Sequence, residues 1–259
     1  MEIPIISIVI PTYNQAGYLR DTLSSIKRQT ITDFEVIIVN DGSTDETPKI
    51  LKDYKLLPNY KVLNQSNQKL PVALNNGFRL ARGKYLTWTS SDNILLPKML
   101  EVLKQSLDDH PDVGLVYADW QLIDEQGEIL RDVRTPDFDR YLLMRINYIN
   151  ACFMYRRECQ EAYGFYNPEY IYAEDWEYWW RLALKCKMRR IPQILYQYRT
   201  HEDCLTQTKV NTQRLGKSKG YIKLEKEFKA RSFAWMFSRL KWEWLRFRLG
   251  QDPKLYFEC

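Results

Sequence analysis

Ile5 to Ile10 is an almost unbroken β-branched run, and the chain repeats that design in Phe34–Val39, Tyr60–Leu63 and Tyr85–Trp88. None of these runs alternates polar with apolar residues. Between them apolar positions fall at helical spacing: Tyr18, Leu19, Leu23 and Ile26 predict a helix over about 17–29, a second ends at 54–57, and a third covers 72–81 before Gly83. Continuous apolar strands separated by helices predict a parallel sheet covered on both faces, an α/β architecture. In such sheets ligands sit beyond the carboxyl ends of the strands. Three polar clusters fall at those ends: Thr12–Asn14, Asn40–Asp45 and Ser90–Asn93.

Past residue 98 the pattern changes. Val113–Tyr117 predicts a strand, 121–132 a hairpin turning at Glu125-Gln126-Gly127, 147–155 an apolar stretch, and Ile194–Tyr198 another strand. Glu174-Asp175-Trp176-Glu177 opens an aromatic-rich helix. After the fourth strand, Asp92 reads as the N-cap of a helix over 95–103 or as a ligand at the mouth of the sheet.

Composition narrows the class. With 45% hydrophobic and 27% charged residues over 259 positions, the chain is long enough to bury a full core. Residues 209–259 hold 13 Lys/Arg against 5 Asp/Glu, so the net charge of +5 belongs to the tail, and the acidic body gives no reason to expect nucleic acid as a ligand. Five cysteines form no C-x-x-C pair, and their odd number argues against a disulfide framework or zinc site. That usage suits a reduced, cytoplasmic setting. Met1-Glu2-Ile3-Pro4 is acidic where a signal peptide is basic, and no run of about 18 apolar residues occurs, so the expectation is a chain that does not span a bilayer. No G-x-G-x-x-G or G-x-x-x-x-G-K-[ST] follows a strand, which excludes a dinucleotide fingerprint and a P-loop.

Ser7-Ile-Val-Ile-Pro-Thr-Tyr-Asn14, Val39-Asn-Asp-Gly-Ser-Thr-Asp-Glu46, the Asn75–Tyr85 segment, Ser90-Ser-Asp-Asn93, Glu174-Asp175-Trp176 and Tyr198-Arg-Thr-His201 occur in that order. Together they resemble the family 2 glycosyltransferases of the GT-A fold, over about residues 3–207. The resemblance implies a mostly parallel central sheet flanked by helices. It divides the chain into a nucleotide-sugar half (1–97), an acceptor half of the same domain (98–208) and a helical C-terminal extension (209–259). It also implies transfer of a sugar from a nucleoside diphosphate donor to a hydroxyl of a glycan or lipid-linked acceptor, with inversion. An alternative is a catalytically silent nucleotide-sugar-binding subunit. A sugar-nucleotide pyrophosphorylase is disfavoured, because Pro11-Thr12-Tyr13-Asn14 is not a glycine-rich basic loop.

The resemblance also assigns roles. Pro11, Thr12, Tyr13 and Asn14 lie beside base and ribose, Asp41 accepts the imide N–H of uracil or thymine, Lys69 stands near the diphosphate, and Ser91 contacts ribose or donor sugar. Asp41 also reads as an Asx-turn residue, and Lys69 as a solvated surface lysine. Mn²⁺ or Mg²⁺ is held by Asp92 and His201, the histidine also reading as a diphosphate contact or as an ordinary surface or turn residue. The family's acidic motif at this strand end is thinned here to Asp92 alone, between Ser90, Ser91 and Asn93. Magnesium commonly needs only one or two protein carboxylates when phosphate oxygens and water complete its shell. Asp175 is the expected base, with Glu174 beside it; neighbouring Glu174 and Glu177 tend to raise one carboxyl pKa. These acids also read as first-turn residues favoured by the helix dipole. Trp176 and Glu177 are expected near the acceptor, with core packing the alternative for the tryptophan. Over 231–249, Phe233, Phe237, Leu240, Trp244 and Phe247 recur at helical spacing among basic residues, a pattern that fits a helix packed on the body or a peripheral membrane contact.

Overall fold

The computed structural model describes residues 3–202 and 204. The extension expected over 209–259, with its 231–249 face, lies outside them. The first strands form where the pattern placed them: β1 (Ile6–Thr12), β2 (Phe34–Asn40), β3 (Tyr60–Asn64) and β4 (Tyr85–Trp88), with α1 (Ala16–Lys27), α2 (Thr47–Tyr54) and α3 (Leu70–Leu80) between them. Both faces of this block are covered. Ile6, Ile8 and Ile10 pack with Leu19, Leu23 and Ile26 of α1, whereas Val9, Ile37 and Val39 pack with Ala73, Leu74 and Phe78 of α3. Two apolar faces on one strand leave no place for polar alternation.

β1 pairs in parallel with both β2 and β4, and β2 with β3. The loops after β1, β2 and β4 therefore emerge along one edge of the sheet.

The expected helix over 95–103 is displaced. Ile94–Leu95 forms β5, paired antiparallel to β9 (Lys187–Arg199), and α4 begins only at Met99 and runs to Asp109. Pro97 lacks a backbone donor and disfavours helix for Leu96 before it. The structure therefore denies Asp92 a capping role at that helix. β6 (Val113–Ile123) and β7 (Ile129–Val133) form the expected hairpin, with Gln121 opposite Asp132. Of the apolar stretch over 147–155, only its end enters a strand, β8 (Phe153–Arg156). Two short helices, α5 (Arg140–Leu143) and α6 (Arg157–Tyr163), had no clear periodic signal; α7 (Glu174–Ala183) begins at the predicted acids.

The sheet is continuous and mixed, in the order β3-β2-β1-β4-β8-β6-β9-β5 with β7 added to β6. β8 is antiparallel to both β4 and β6, and β6 is parallel to β9. Two reversals leave β9 running with β1, so Arg199 and His201 arrive at the same edge as the loops of the first block.

Candidate active site

A cavity of about 300 Å³ lies at that edge. Pro11, Thr12 and Tyr13 line it from the end of β1, Asp41 from the end of β2, and Ser90, Ser91 and Asp92 from the end of β4. Asn67 and Lys69 close it from the β3–α3 loop, and Ile171, Tyr172 and Glu174 from the approach to α7. Eight expected site residues thus share one wall system: Pro11, Thr12, Tyr13, Asp41, Lys69, Ser91, Asp92 and Glu174.

The loops are tied to one another before any ligand arrives. Asn14 donates its backbone N–H to Ser43 Oγ (3.0 Å) and accepts from the Thr44 N–H (2.8 Å). It acts as a tether between two loops and does not line the cavity. Asp45 accepts from the Ala16 N–H (2.9 Å) and the Thr47 N–H (3.0 Å). Burial alone would raise its pKa, but these bonds to the ionised form outweigh burial and hold the carboxyl below its ordinary range. The side chain that bridges this turn is that of Asn40, whose Oδ1 accepts from the Ser43 N–H at 3.0 Å, while Gly42 takes φ +80°. Asp41 faces the cavity, with Oδ1 receiving Gln65 Nε2 and the Gln68 N–H, both at 2.8 Å.

Lys69 adopts φ 71° and ψ 163°, a region that is essentially glycine-only and costs about 1–3 kcal/mol for other residues. Lys69 is exposed, so the solvated reading of its side chain stands beside its place on the cavity wall. Tyr172, also on the cavity wall, sits at φ 67°. Its role was not legible in the sequence, since no turn residue marks it.

Asp92 is held from three directions. The Thr22 hydroxyl donates to the Asn93 carbonyl (2.7 Å), the Arg199 N–H to Asn93 Oδ1 (2.8 Å), and Arg199 Nε to the Asp92 carbonyl (2.9 Å). Asn93, which stands where a second acid might be sought, thus serves the turn itself. Asp92 Oδ2 lies 3.2 Å from His201 Nε2, and the His201 ring is buried against Tyr18 at 4.6 Å between centroids. Asp92 Oδ1 and Thr12 Oγ1 are buried with no hydrogen-bond partner among the described residues. Unpartnered buried oxygens on a cavity wall are what a cation or a polar ligand would satisfy. Among those residues no group of three or more His, Cys, Asp and Glu side chains gathers as a metal site.

α7 brings its acids in unequal roles. Glu174 lines the cavity. Asp175 is half-buried beside it, with Oδ2 accepting from Asn147 Nδ2 (2.6 Å) and Oδ1 from the Trp176 N–H (2.7 Å). The structure places Trp176 and Glu177 away from the cavity wall. The indole of Trp176 is buried and donates to the Leu143 carbonyl (2.6 Å). Glu177 forms a two-pronged pair with Arg181, at 2.9 and 2.8 Å, and Arg181 also donates to the carbonyls of Tyr163 and Phe165. The charge of Glu177 is therefore spent on Arg181, not on its acidic neighbours. Of the first turn of α7 only Glu174, its first residue, lines the cavity; Trp176 and Glu177 are buried among their own partners.

Comparison with known proteins agrees with this geometry. The model of Glycosyl transferase family 2 matches residues 7–164, more than half of the chain. The chain belongs to that family. This family 2 chain is 29% identical over 223 residues to the putative glycosyltransferase EpsH of Bacillus subtilis, covering 80% of itself and 64% of EpsH. It is 31% identical over 222 residues to an uncharacterized glycosyltransferase of Rickettsia prowazekii, covering 80% of itself and 68% of that relative. Against the chondroitin synthase of Escherichia coli it is 28% identical over 215 residues, covering 82% of itself and 31% of the synthase. The chain thus spans under two thirds of EpsH and about a third of the synthase. Its fold matches S. aureus TarS 1–349 in complex with UDP-GlcNAc, with TM-score 0.65, 20% identity, and coverage of 77% of this chain and 59% of that one. The mannosyltransferase PcManGT of Pyrobaculum calidifontis, in complex with GDP-Man and Mn²⁺, matches with TM-score 0.62 and 19% identity, covering 98% and 78%. The GT-A fold of this family 2 chain is shared with both.

Proposed function

We propose that the protein transfers a sugar, with inversion, from a nucleoside diphosphate donor to a hydroxyl of a glycan or lipid-linked acceptor. The observation that carries this reading is the cavity wall that joins Asp92, whose buried Oδ1 has no hydrogen-bond partner among the described residues, to Glu174 at the start of α7, with Asp175 next in the chain. Asp41, on the floor of the same cavity, can accept an imide N–H, which favours UDP or dTDP donors. Lys69 would meet the diphosphate, and Thr12, Tyr13 and Ser91 would border ribose and sugar.

The residues fit a hard divalent ion. Asp92 Oδ2 and His201 Nε2 stand 3.2 Å apart, and Asp92 Oδ1 has no hydrogen-bond partner among the described residues, so an oxygen ligand is at hand for such an ion. Asp92 and His201 would hold Mn²⁺ or Mg²⁺, which when bound offsets negative charge on the departing diphosphate. Asp175, fixed by Asn147, would take the proton of the acceptor hydroxyl as its oxygen bonds to the anomeric carbon and the bond from that carbon to the diphosphate breaks. Glu174 would border the sugar beside it.

A second reading, nucleotide-sugar binding without turnover, is favoured by Ser90, Ser91 and Asn93 in place of further acids. Incubation with UDP-sugars, Mn²⁺ and water separates the two. Slow donor hydrolysis that requires metal and disappears in Asp92→Ala supports the transferase; nucleotide binding without hydrolysis or transfer supports the silent binder.

A further inference from the structure

Away from the cavity, at the far end of α7, two thiols from different elements meet. Cys159 on α6 and Cys186 in the α7–β9 turn stand with their sulfurs 3.4 Å apart. Room for the pair is made by Gly114 of β6. A Cβ there would lie 2.8 Å from Cys159 Sγ and 2.9 Å from Cys186 Cβ, closer than side chains tolerate. A disulfide needs sulfurs at about 2.05 Å, so rotamer adjustment could bring the two together.

The two thiols differ in environment. Cys159 is buried, whereas Cys186 is half-buried and lines a second cavity of about 390 Å³ together with Arg140, Lys185, Lys187 and Arg189. Lys187 is partly engaged by Asp112 at 2.7 Å; the other three add positive charge around the opening. The hydrogen bond from Cys159, followed by one from the Tyr163 phenol, outweighs burial and holds the Cys186 thiol below its ordinary value, and the bond to Cys186 together with burial pushes Cys159 up. Partly exposed thiols in electropositive surroundings are the reactive ones. Cys152 offers the contrast: fully buried, its thiol is pushed up by burial.

We propose that Cys186 and Cys159 form an oxidative modification site, in which a small hydroperoxide reaches Cys186 through the second cavity and the pair closes to a disulfide. The Cys186 thiolate attacks the peroxide, its S–O bond forms as the O–O bond breaks, and hydroxide leaves. The Cys159 sulfur then attacks Cys186; the S–S bond forms, the S–O bond breaks, and the oxygen departs as water with the thiol proton. Two thiols lose two electrons and one hydrogen peroxide becomes two waters. The bridge would clamp α6 to the end of the helix whose first turn carries Glu174 and Asp175.

Peptide mapping of the full chain under non-reducing conditions, after equimolar hydrogen peroxide, tests this. A Cys159–Cys186 linked peptide that dithiothreitol removes is expected in the wild type. In Cys159→Ser, dimedone should mark Cys186 as the sulfenic acid, and in Cys186→Ser both products should be lost. Before oxidation, iodoacetamide should modify Cys186 at least about tenfold faster than Cys152. Absence of the linked peptide from the wild type, a bridge that uses Cys204 or Cys259 instead, or equal alkylation of Cys186 and Cys152 overturns the proposal, whatever the variants do.

Discussion

The two walls of the cleft are built differently. β1, β2 and β4 deliver their loops from a parallel block in which every strand residue is buried, and successive loops of that block are joined by bonds such as Asn14–Thr44 and Ala16–Asp45, 30 and 29 positions apart. The opposite wall hangs on side-chain hydrogen bonds that span from 28 to 91 positions. Asn75 exchanges two hydrogen bonds with the backbone of Tyr166, at 2.8 and 2.9 Å, Trp88 Nε1 donates to the Tyr166 hydroxyl at 2.9 Å, and Asn147 holds Asp175. The buried acids follow the same division. Glu35, on β2, meets Lys61 and Arg82, both well exposed. Asp119, on β6, is fully buried and receives the Arg190 guanidinium, the Thr135 N–H and the Thr135 hydroxyl, tying β9 and the end of β7 to one strand. A first wall resting on strands buried along their whole length should tolerate damage better than a second wall held by side-chain hydrogen bonds.

The largest effect should come from the point where the walls meet. Asp92→Ala is expected to lower turnover by about a thousandfold or more, by removing an anchor for charge stabilisation worth several kcal/mol. The same variant should erase the enhancement of UDP binding by Mn²⁺ in calorimetry. Retained metal-assisted binding would place the ion elsewhere. Asp175→Asn is expected to reduce kcat by about a hundredfold to a thousandfold, the range for a lost general base, with UDP affinity unchanged. If Glu174→Gln carries that loss and Asp175→Asn does not, the base is the acid on the cavity wall.

Stability tests the contrast directly. Asp119→Ala leaves Arg190 without its buried partner and should cost about 3–5 kcal/mol, read from chemical denaturation; Glu35→Ala, whose cations can turn to water, should cost about 1–2 kcal/mol. Equal losses would remove the distinction between the walls. Acid should act the same way. Burial alone would raise the pKa of Asp119 and Glu35, but the bonds from Arg190 and Thr135, and from Lys61 and Ser7, hold both below their ordinary values. The stability these carboxylates contribute is present above their unfolded values, near 3.8 and 4.5, and is lost as pH falls through the lowered folded values. Melting temperature should therefore drop on acidification below about pH 4.5, and less steeply in Asp119→Asn. The smallest effect is the most diagnostic of Lys69. Lys69→Gly should stabilise the fold by about 1 kcal/mol by relieving the glycine-only backbone while raising KM for the donor; destabilisation would show that the lysine is held for packing.

How much of this was legible follows the same line. Continuous β-branched runs ending in Thr12–Asn14, Asn40–Asp45 and Ser90–Asn93 announced both the parallel block and the edge that holds the cavity, because burial on two faces leaves a local signature. Lys69 and Glu174 were named from motif position. The short strand at Ile94–Leu95 takes the first residue of the helix expected over 95–103, since two apolar residues carry no period of their own and pair with distant Tyr196 and Gln197. Trp176 and Glu177 were expected near the acceptor, and their partners Leu143 and Arg181 turned them to packing.

The sequence alone determined the layered α/β class, the edge at which chemistry gathers and most of the polar residues on its walls, because each depends on burial patterns and turn residues within a few positions. Tertiary structure alone decided that Arg199 braces the backbone of Asp92, that Asn147 orients Asp175 and that Cys159 meets Cys186. Each of those pairs joins residues dozens of positions or more apart, and such meetings are set by how strands reverse and helices pack, which no local pattern encodes.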